Sequence, residues 1–389
     1  MSPLAEESYS LSLTGDVGLR LWPGAQFHIN PEGAQGQPLS NLTGGGGISN
    51  GELQRGASAS PLTYPARVFF QQRFSAGPET ENIEADFNEL GGRFTATRWT
   101  VTVGTFSLLD YFDHNPYAKD PREQFVNWSF MTYGAWDYAA DARGYTTGFV
   151  VEYRTPTWSA RAGRAMQPRE SNGLPLDSAI WRRYGDQVEI DGNLPVKLPA
   201  GPLRARALFF SNHVQAGSFT EALALGGVPD VGLVRREQAK TGWGLTLEAP
   251  LAEGAGLFLR LSRNTGNAES YAFTEIDSQF ALGGQFTGAA LGRSQDRWGV
   301  AYAVNGLSDS HRDYLAAGGL GAFLGDGRLN YDNERIFETY FRFVLPDWGT
   351  RVGQVQSAAS LGFQHIANPG YNRDRGPATV LTFRWHSEF

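Results

Sequence analysis

Arginine and glutamate side chains recur on one face of several alternating segments of this chain. Read with a period of two, the polar faces carry Arg154, Arg204, Arg206, Arg260, Arg342 and Arg384 together with Glu152, Glu189 and Glu338. A guanidinium can bridge two adjacent hydroxyl groups, and a carboxylate accepts hydrogen bonds from hydroxyls. If these faces line one water-filled space, they suit a polyhydroxylated solute such as a sugar. The simpler interpretation of each single residue is a solvated charge without a ligand.

Patterns typical of catalysis or metal binding are weak. The chain has no cysteine, which removes thiolate nucleophiles, zinc ribbons and iron–sulfur clusters. Its six histidines are scattered singly, without paired metal-ligand spacing: His28, His114, His213, His311, His365 and His386. Carboxylate pairs can always be named among 40 acidic residues, so naming one proves nothing. We therefore expect no enzymatic activity, no catalytic residue, no metal and no cofactor.

Composition restricts the partners and the class of protein. There are 33 basic and 40 acidic residues, a net charge of -7, and no basic cluster, so nucleic acid is not an expected partner. Glycine (48 of 389) and aromatic residues (13%) favour turns and strands. No apolar run reaches the roughly 18 residues that a membrane-spanning helix needs. The N-terminus lacks the pattern of a signal peptide, and we interpret the sequence as a mature chain behind a start Met.

Period-two alternation predicts that strands dominate the chain. In the clearest case, Leu381, Phe383 and Trp385 alternate with polar residues up to the terminal Phe389. Near residues 158–165 the pattern is ambiguous, because an arginine falls on each face. The predicted strands are 9–21, 66–75, 97–107, 145–154, 158–167, 186–193, 202–211, 241–249, 256–264, 271–288, 297–305, 335–345, 357–365 and 378–389.

Connections between these strands alternate in length. Short or moderate turns include Thr155–Thr157, whereas the connections 106–144, 168–185, 212–240 and 306–334 are long and rich in Gly, Asp and Asn. Short turns on one rim and long loops on the other are typical of outer-membrane β-barrels. A soluble β-sandwich or propeller also alternates, but it does not require loops sorted by strand parity or an aromatic C-terminus. The pattern therefore favours an all-β fold, one transmembrane antiparallel barrel over 1–389.

Sixteen strands is our estimate for this barrel. Segments 22–65 and 76–96 are too long for plain connections and could hide a further pair of strands. Placing both termini on the short-turn rim requires an even count. A barrel of 16 strands encloses an aqueous lumen, so passage of solute is the expected function.

Segment 106–145 differs from the rest of the chain. Asp120 followed by Pro121 and Glu123 has the pattern of a helix start, and we predict a helix from Pro121 to about Thr132. The aromatic residues of this segment could not remain in water, so we expect it to fold into the lumen as a constriction loop. Its candidate residues are Asp120, Arg122, Phe125, Asn127, Trp128, Trp136, Asp137 and Tyr138.

Three blocks carry a resemblance to a known family. They are Gly104 to Asn115, Asp120 to Tyr153 with Asp120-Pro121-Arg122-x-Gln124-Phe125-x-Asn127-Trp128 at its start, and Asn368 to Phe389. In these blocks the sequence resembles the OprB-like carbohydrate-selective porins of Gram-negative bacteria. The resemblance implies a sixteen-stranded barrel of the cell outer membrane, through which sugars diffuse past inward-folded loops, arginines and acidic residues.

Two functions of different classes fit these observations. The first is passive diffusion of mono- or small oligosaccharides, and the second is a conduit for polysaccharide export. Mixed inward charges and a net charge of -7 favour the first, because a polyanionic cargo would suit a positive lumen. A purely structural barrel or an enzyme is the third alternative. The expected partners are small carbohydrates and outer-membrane lipid, with the chain acting as a monomer or a homotrimer.

Overall fold

The computed structural model describes residues 5–53, 58–272, 275–346, 348–349 and 354–389. Within them, seventeen strands form one antiparallel sheet, and two others pair apart from it as a small hairpin. The strands are β1 Tyr9–Thr14, β2 Val17–Trp22, β3 Ala25–Gln37, β4 Leu62–Ser75, β5 Thr80–Ile83, β6 Gly92–Thr95, β7 Arg98–Phe106, β8 Thr146–Arg154, β9 Trp158–Met166, β10 Tyr184–Leu198, β11 Gly201–Gly217, β12 Arg235–Ala252, β13 Ala255–Asn264, β14 Ser278–Gly288, β15 Arg293–Gly306, β16 Glu334–Val344, β17 Trp348–Gly349, β18 Gln354–Ala367 and β19 Ala378–Glu388.

Sixteen strands of the main sheet have six residues or more, which confirms the all-β class and, with β1 and β2 counted separately, the estimated number of strands. Sequential strands pair with one another, except that β4 pairs directly with β7 and β16 with β18. β1 and β2 both pair with β3, with Tyr9 opposite Gln37 and Val17 opposite Ile29. These two short strands therefore share one position in the sheet.

The two rims of the sheet differ as expected from the loop lengths. One rim carries short connections, such as 155–157, 199–200 and 253–254. The other carries the long connections 38–61, 107–145, 167–183, 218–234, 265–277, 307–333 and 368–377.

β19 ends on the short-turn rim as expected, but β1 begins on the long-loop rim. The expectation for the first strand was wrong because the described residues of 22–65 add one strand to the sheet, β3, and 76–96 adds only the separate β5–β6 hairpin. Because one strand is added instead of the expected pair, β1 runs in the direction opposite to the predicted one.

Strand β3 was hidden by a local irregularity. Its residues alternate from Gln26 to Glu32, with even-numbered side chains buried and odd-numbered ones more exposed. Pro31 keeps this alternation, but a proline within a segment argues against a strand, and Pro31 lies where the register with β4 shifts. A proline cannot donate to the ladder and is tolerated at such a bulge. The predicted strand 271–288 instead begins at Ser278; residues 273 and 274 of that prediction lie outside the described residues.

The outer face of the sheet is apolar and exposed. Leu257, Leu381, Phe383 and Trp385 lie on it, as parity predicts. Four tryptophans lie within three residues of a strand end at the short-turn rim: Trp22, Trp99, Trp158 and Trp385. Indole rings concentrate at the boundary between lipid and water. The outer face thus has the composition of a surface in contact with lipid.

Helices are short and belong to the connections. They are α1 Trp128–Met131, α2 Phe219–Ala224 and α3 Asp309–Ala316, accompanied by 3-10 turns at Leu39–Leu42, Leu108–Asp110, Val231–Val234, Ala289–Leu291 and Pro369–Tyr371. Among the described residues, no helix combines the length and apolar composition needed to cross a membrane.

Candidate functional site: the lumen and segment 106–145

Segment 106–145 is fixed to the sheet from its first turn. The Asp110 carboxylate accepts the backbone N–H of Ser107 at 3.0 Å, and the Ser107 hydroxyl accepts that of Leu109 at 3.3 Å. Both Asp110 oxygens also accept hydrogen bonds from Arg67 of β4, each at 2.7 Å. A bidentate arginine–carboxylate pair sets position as well as energy. The turn is therefore held against the strand next to β7.

Carboxylates of the inner face bind the backbone of this segment. Glu338 of β16 accepts the N–H groups of Val126 and Asn127 at 2.6 and 2.9 Å. Glu189 of β10 accepts that of Asp113 at 2.8 Å. Glu338 and Glu189 are both buried. Satisfying these N–H groups removes much of the cost of burying an irregular backbone.

Arg260 of β13 joins three parts of the segment. Its guanidinium donates to the carbonyls of Phe130 and Ala118 at 2.6 and 2.7 Å, and one nitrogen lies 2.9 Å from an Asp113 oxygen. The Arg260 and Asp113 side chains are both fully buried. Removing one partner from such a pair leaves an uncompensated charge, so Arg260 is a structural anchor of the segment.

Asp137 connects the segment to another connection and to β12. Its carboxylate accepts the backbone N–H groups of Tyr271 and Ala272, the latter at 2.7 Å. Lys240 of β12 lies 3.1 Å from the same carboxylate, and both side chains are buried. Asp137 thus acts as an acceptor that locks two loops together.

Aromatic packing completes the contact between segment and sheet. Phe125 lies 5.0 Å from the Tyr340 ring of β16 and 6.0 Å from the Phe258 ring of β13, in edge-to-face geometry. Trp128 stacks on Tyr138 at 6.1 Å. Inward apolar residues of the strands pack with these rings: Phe69, Val150, Leu208 and Phe210. Segment 203–210 carries apolar residues on both faces because its inward Leu208 and Phe210 face protein rather than water.

The predicted helix from Pro121 to Thr132 is wrong in extent. Residues 121–124 form a turn, in which Asp120 accepts the backbone N–H of Arg122 at 2.7 Å, and only Trp128–Met131 is helical. Asn127 is the cap, accepting the N–H of Ser129 at 3.0 Å. A continuous helix would need the N–H groups of Val126 and Asn127 for its own ladder, but Glu338 takes both.

A cavity of about 2480 Å³ lies between the segment and the short-turn rim. Arg161 of β9 and Arg204 of β11 belong to its wall and are paired with acids. Arg161 contacts Glu152, Glu189 and Asp191 at 2.8, 2.5 and 2.8 Å, and Arg204 contacts Asp191 at 2.5 Å. Basic and acidic groups therefore alternate around this wall, and among the residues of these pairs the Arg204 side chain, 43% exposed, offers donors that a solute can reach.

The structure divides the predicted site residues into two groups. Those bordering the cavity are Arg154, Arg204, Arg206, Arg384, Glu152, Asp120 and Arg122. The other group does not border the cavity. It consists of nine residues buried in or beside segment 106–145, which are Arg260, Glu189, Glu338, Phe125, Asn127, Trp128, Trp136, Asp137 and Tyr138, and of Arg342, which pairs with Glu123. Arg206 is intermediate between the two groups. It borders the cavity, but its side chain is 1% exposed and donates to the His114 carbonyl.

Four basic residues of the cavity wall were missed from the sequence: Arg73, Arg98, Arg161 and Lys119. The sequence did not identify Arg161 as an inward residue, because Arg164 falls on the opposite face of β9. The structure explains this ambiguity, since Arg164 pairs with Asp186 of the adjacent strand, each of its two bonds being 2.7 Å, while Arg161 is buried inside. Strand parity alone would have placed Arg161 with Ser159 on the inner face.

Lys119 and His114 form a titratable pair on the cavity wall. The Lys119 ammonium and His114 Nδ1 are 2.8 Å apart. Burial lowers the pKa of Lys119 to about 8, opposed in part by the carboxylates of Asp110 and Asp113. The charge of Lys119, and then burial, hold the pKa of His114 well below its usual range. Lys119 is thus a charge that titrates near neutral pH.

This chain is similar to a known protein family and to several solved structures. A family model for "Carbohydrate-selective porin, OprB family" matches residues 16–389. The high-pH structure of Pseudomonas putida OprB has a TM-score of 0.68 at 17% identity, covering 98% of this chain and 88% of that one. Its low-pH structure (TM-score 0.48, 12% identity, 98% and 86% covered) and OmpT of Vibrio cholerae (0.42, 10%, 98% and 94%) are also similar. The search of curated proteins gives no match.

The fold is that of an outer-membrane porin barrel, and the matching family is a family of porins, which are channels. The chain belongs to the OprB family of carbohydrate-selective porins, whose model covers nearly all of it. The predictions of family, of an outer-membrane barrel and of carbohydrate transport are confirmed.

Proposed function

We propose that mono- and small oligosaccharides diffuse passively through the cavity, where Arg154, Arg204 and Glu152 form hydrogen bonds with sugar hydroxyls. The observation that carries this proposal is the mixture of exposed arginine and carboxylate groups on one wall. Guanidinium forks and carboxylates complement the donors and acceptors of vicinal hydroxyls. A neutral sugar gains these bonds without needing a lumen of one charge.

We further propose that segment 106–145 constricts the lumen and that its aromatic and acidic residues hold its shape. The supporting contacts are the backbone bonds to Glu338 and the ion pair of Arg260 with Asp113. In this proposal, Asp120 and Arg122 face the solute, whereas Phe125, Asn127, Trp128, Trp136, Asp137 and Tyr138 are structural.

Liposome swelling with neutral sugars of graded size tests the transport proposal. We expect monosaccharides to enter fastest, with a steep fall for larger oligosaccharides. Arg204→Gln and Arg154→Gln should slow sugar entry at both low and high salt, because a hydrogen bond to a neutral sugar is not screened as a charge interaction is. Arg164→Gln, on the outer face, is the matched control and should leave the rates unchanged. If monosaccharides fail to enter while an acidic polysaccharide binds, export of polysaccharide replaces this proposal.

Single-channel conductance tests the constriction. Deleting Asp120 to Tyr138 should raise the conductance, and Glu338→Ala, a milder change that frees two backbone N–H groups, should raise it by a smaller amount. Heat-modifiable migration on gels verifies that each variant is a folded barrel. Unchanged conductance in both folded variants would show that this segment does not limit the pore.

A further inference from the structure

Three side chains with metal-binding atoms meet where segment 106–145 contacts the last strand. They are Glu123, from the turn 121–124, and His386 and Glu388 of β19. One ligand atom from each lies within 4.8 Å of the other two, and this is the one such group among the described residues. His386 Nε2 is 3.0 Å from Glu388 Oε1. All three residues border the cavity, so ions can reach them.

The strand and the turn explain why these atoms converge. Residues two apart on a strand point to the same side, which places both His386 and Glu388 inward, while Trp385 points outward. The turn is held beside β19 by Arg384 of that strand, which donates to the Pro121 carbonyl at 2.5 Å. The Glu123 carboxylate is paired with Arg342 of β16.

We propose that Glu123, His386 and Glu388 bind a divalent transition-metal cation, for which Zn²⁺ is the probe. An imidazole nitrogen with two carboxylates is a ligand set that suits Zn²⁺ and not Mg²⁺ or Ca²⁺, which prefer oxygen ligands alone. Tetrahedral coordination with bonds of about 2.0–2.2 Å separates ligand atoms by about 3.4 Å. The three side chains reach that spacing by small rotations, and water completes the coordination.

Occupancy of this site changes the pore in two ways. The cation ties the turn 121–124 to β19, reducing its freedom to move. It also places positive charge beside the cavity near the short-turn rim, which faces the periplasm in outer-membrane barrels. Arg342 competes with the cation for the Glu123 carboxylate, and Arg384 faces the same space, so both arginines weaken binding.

Zn²⁺ titration of the purified full chain in detergent, by calorimetry, tests the proposal. We expect saturable binding of one ion, weakened more than about tenfold by His386→Ala, since even a residue behind a metal ligand is worth that much. His386→Gln, which keeps the side-chain size, should weaken it similarly. His365→Ala is the matched control, because His365 is an exposed histidine on the adjacent strand, and it should bind as the unchanged protein does. Mg²⁺ should not compete.

Two further measurements distinguish this site from adventitious binding. Arg342→Gln should strengthen Zn²⁺ binding several-fold by freeing Glu123, an effect that a surface histidine elsewhere would not show. Zn²⁺ added on the periplasmic side should lower single-channel conductance in the unchanged protein and not in His386→Ala. Absence of saturable binding, or equal affinity in His386→Ala and His365→Ala, would overturn the proposal. The calorimetric result does not depend on which solute the pore conducts.

Discussion

Arg204 and Arg260 show two ways in which one inner wall uses the same residue type. Both point inward, from β11 and β13, as parity predicts. The Arg204 side chain is 43% exposed at the cavity and pairs with Asp191, whereas that of Arg260 is 0% exposed and pairs with Asp113 under two carbonyls. One wall region faces water and the other faces segment 106–145.

This difference separates arginines that a solute could contact from arginines that hold segment 106–145 in place. Exposed arginines keep donors free for solute and add a screened charge to the lumen. Buried ones spend their donors on the backbone of the segment, so they determine its shape. An inward charge is therefore a candidate solute contact only where the lumen is not already filled by protein.

The largest expected effect contrasts these two arginines directly. Arg260→Met should lower the free energy of unfolding by about 3–5 kcal/mol, because it removes the nearer of the two arginines that contact the buried Asp113 carboxylate and leaves the carbonyls of Phe130 and Ala118 without their donor. Arg204→Met should cost at most about 1 kcal/mol, since the Arg204 side chain is partly exposed and Asp191 stays paired with Arg161. Reversible urea unfolding into lipid vesicles measures both. Equal losses would contradict the division of the wall.

The outer face gives the next largest effect. Leu259→Arg places a charge on the outer face, midway along β13, and should cost about 2–4 kcal/mol near the bilayer midplane. Leu259→Met is the size-matched control and should cost well under that. Strand parity alone, which places Arg260 on the inner face and Leu259 on the lipid face, predicts that Arg260 tolerates substitution far better than Leu259. A smaller loss in Arg260→Met than in Leu259→Arg would restore that expectation.

Ion selectivity distinguishes the exposed arginines more finely. A unit charge interacts with a permeating ion about 10 Å away in water by about 0.4 kcal/mol, which changes the local concentration of that ion by a factor of about two. Arg204→Gln should therefore shift reversal potentials toward cations at low salt, and the shift should fade at high salt. Arg164→Gln, outside the lumen, should have no such effect. Of the arginines proposed for this role from the sequence, Arg154 and Arg384 border the cavity, whereas Arg342 does not.

The smallest expected effect is a pH dependence from Lys119. Because its pKa is about 8, raising the pH from 7 to 9 removes one positive charge from the wall, and selectivity should move toward cations. Lys119→Met should abolish this step, whereas His114, already neutral, should not contribute to it. In the unfolded chain a lysine titrates near 10.4, so the unfolded state binds more protons between pH 8 and 10.4 and stability should rise with pH there. An unaltered step in Lys119→Met would assign it to another group.

Strand positions could be predicted because lipid outside and polar or packed surroundings inside impose a period of two. Each of the fourteen predicted strands overlaps a strand of the sheet. β3 escaped detection because it contains Pro31, a residue atypical of strand interiors, at a shift of register with β4. The helix limits failed for a similar reason, since Glu338 lies far along the chain yet takes the N–H groups that a longer helix would need.

By itself the sequence determined the barrel class, the faces of most strands and the family, because these depend on local alternation and on contiguous motifs. Only the tertiary structure decided which inward charges meet water. That outcome depends on contacts such as Glu338 with Val126 and Arg260 with Asp113, between residues more than a hundred positions apart. Alternation fixes the direction of a side chain, but the segment that folds against it decides whether it binds solute or protein.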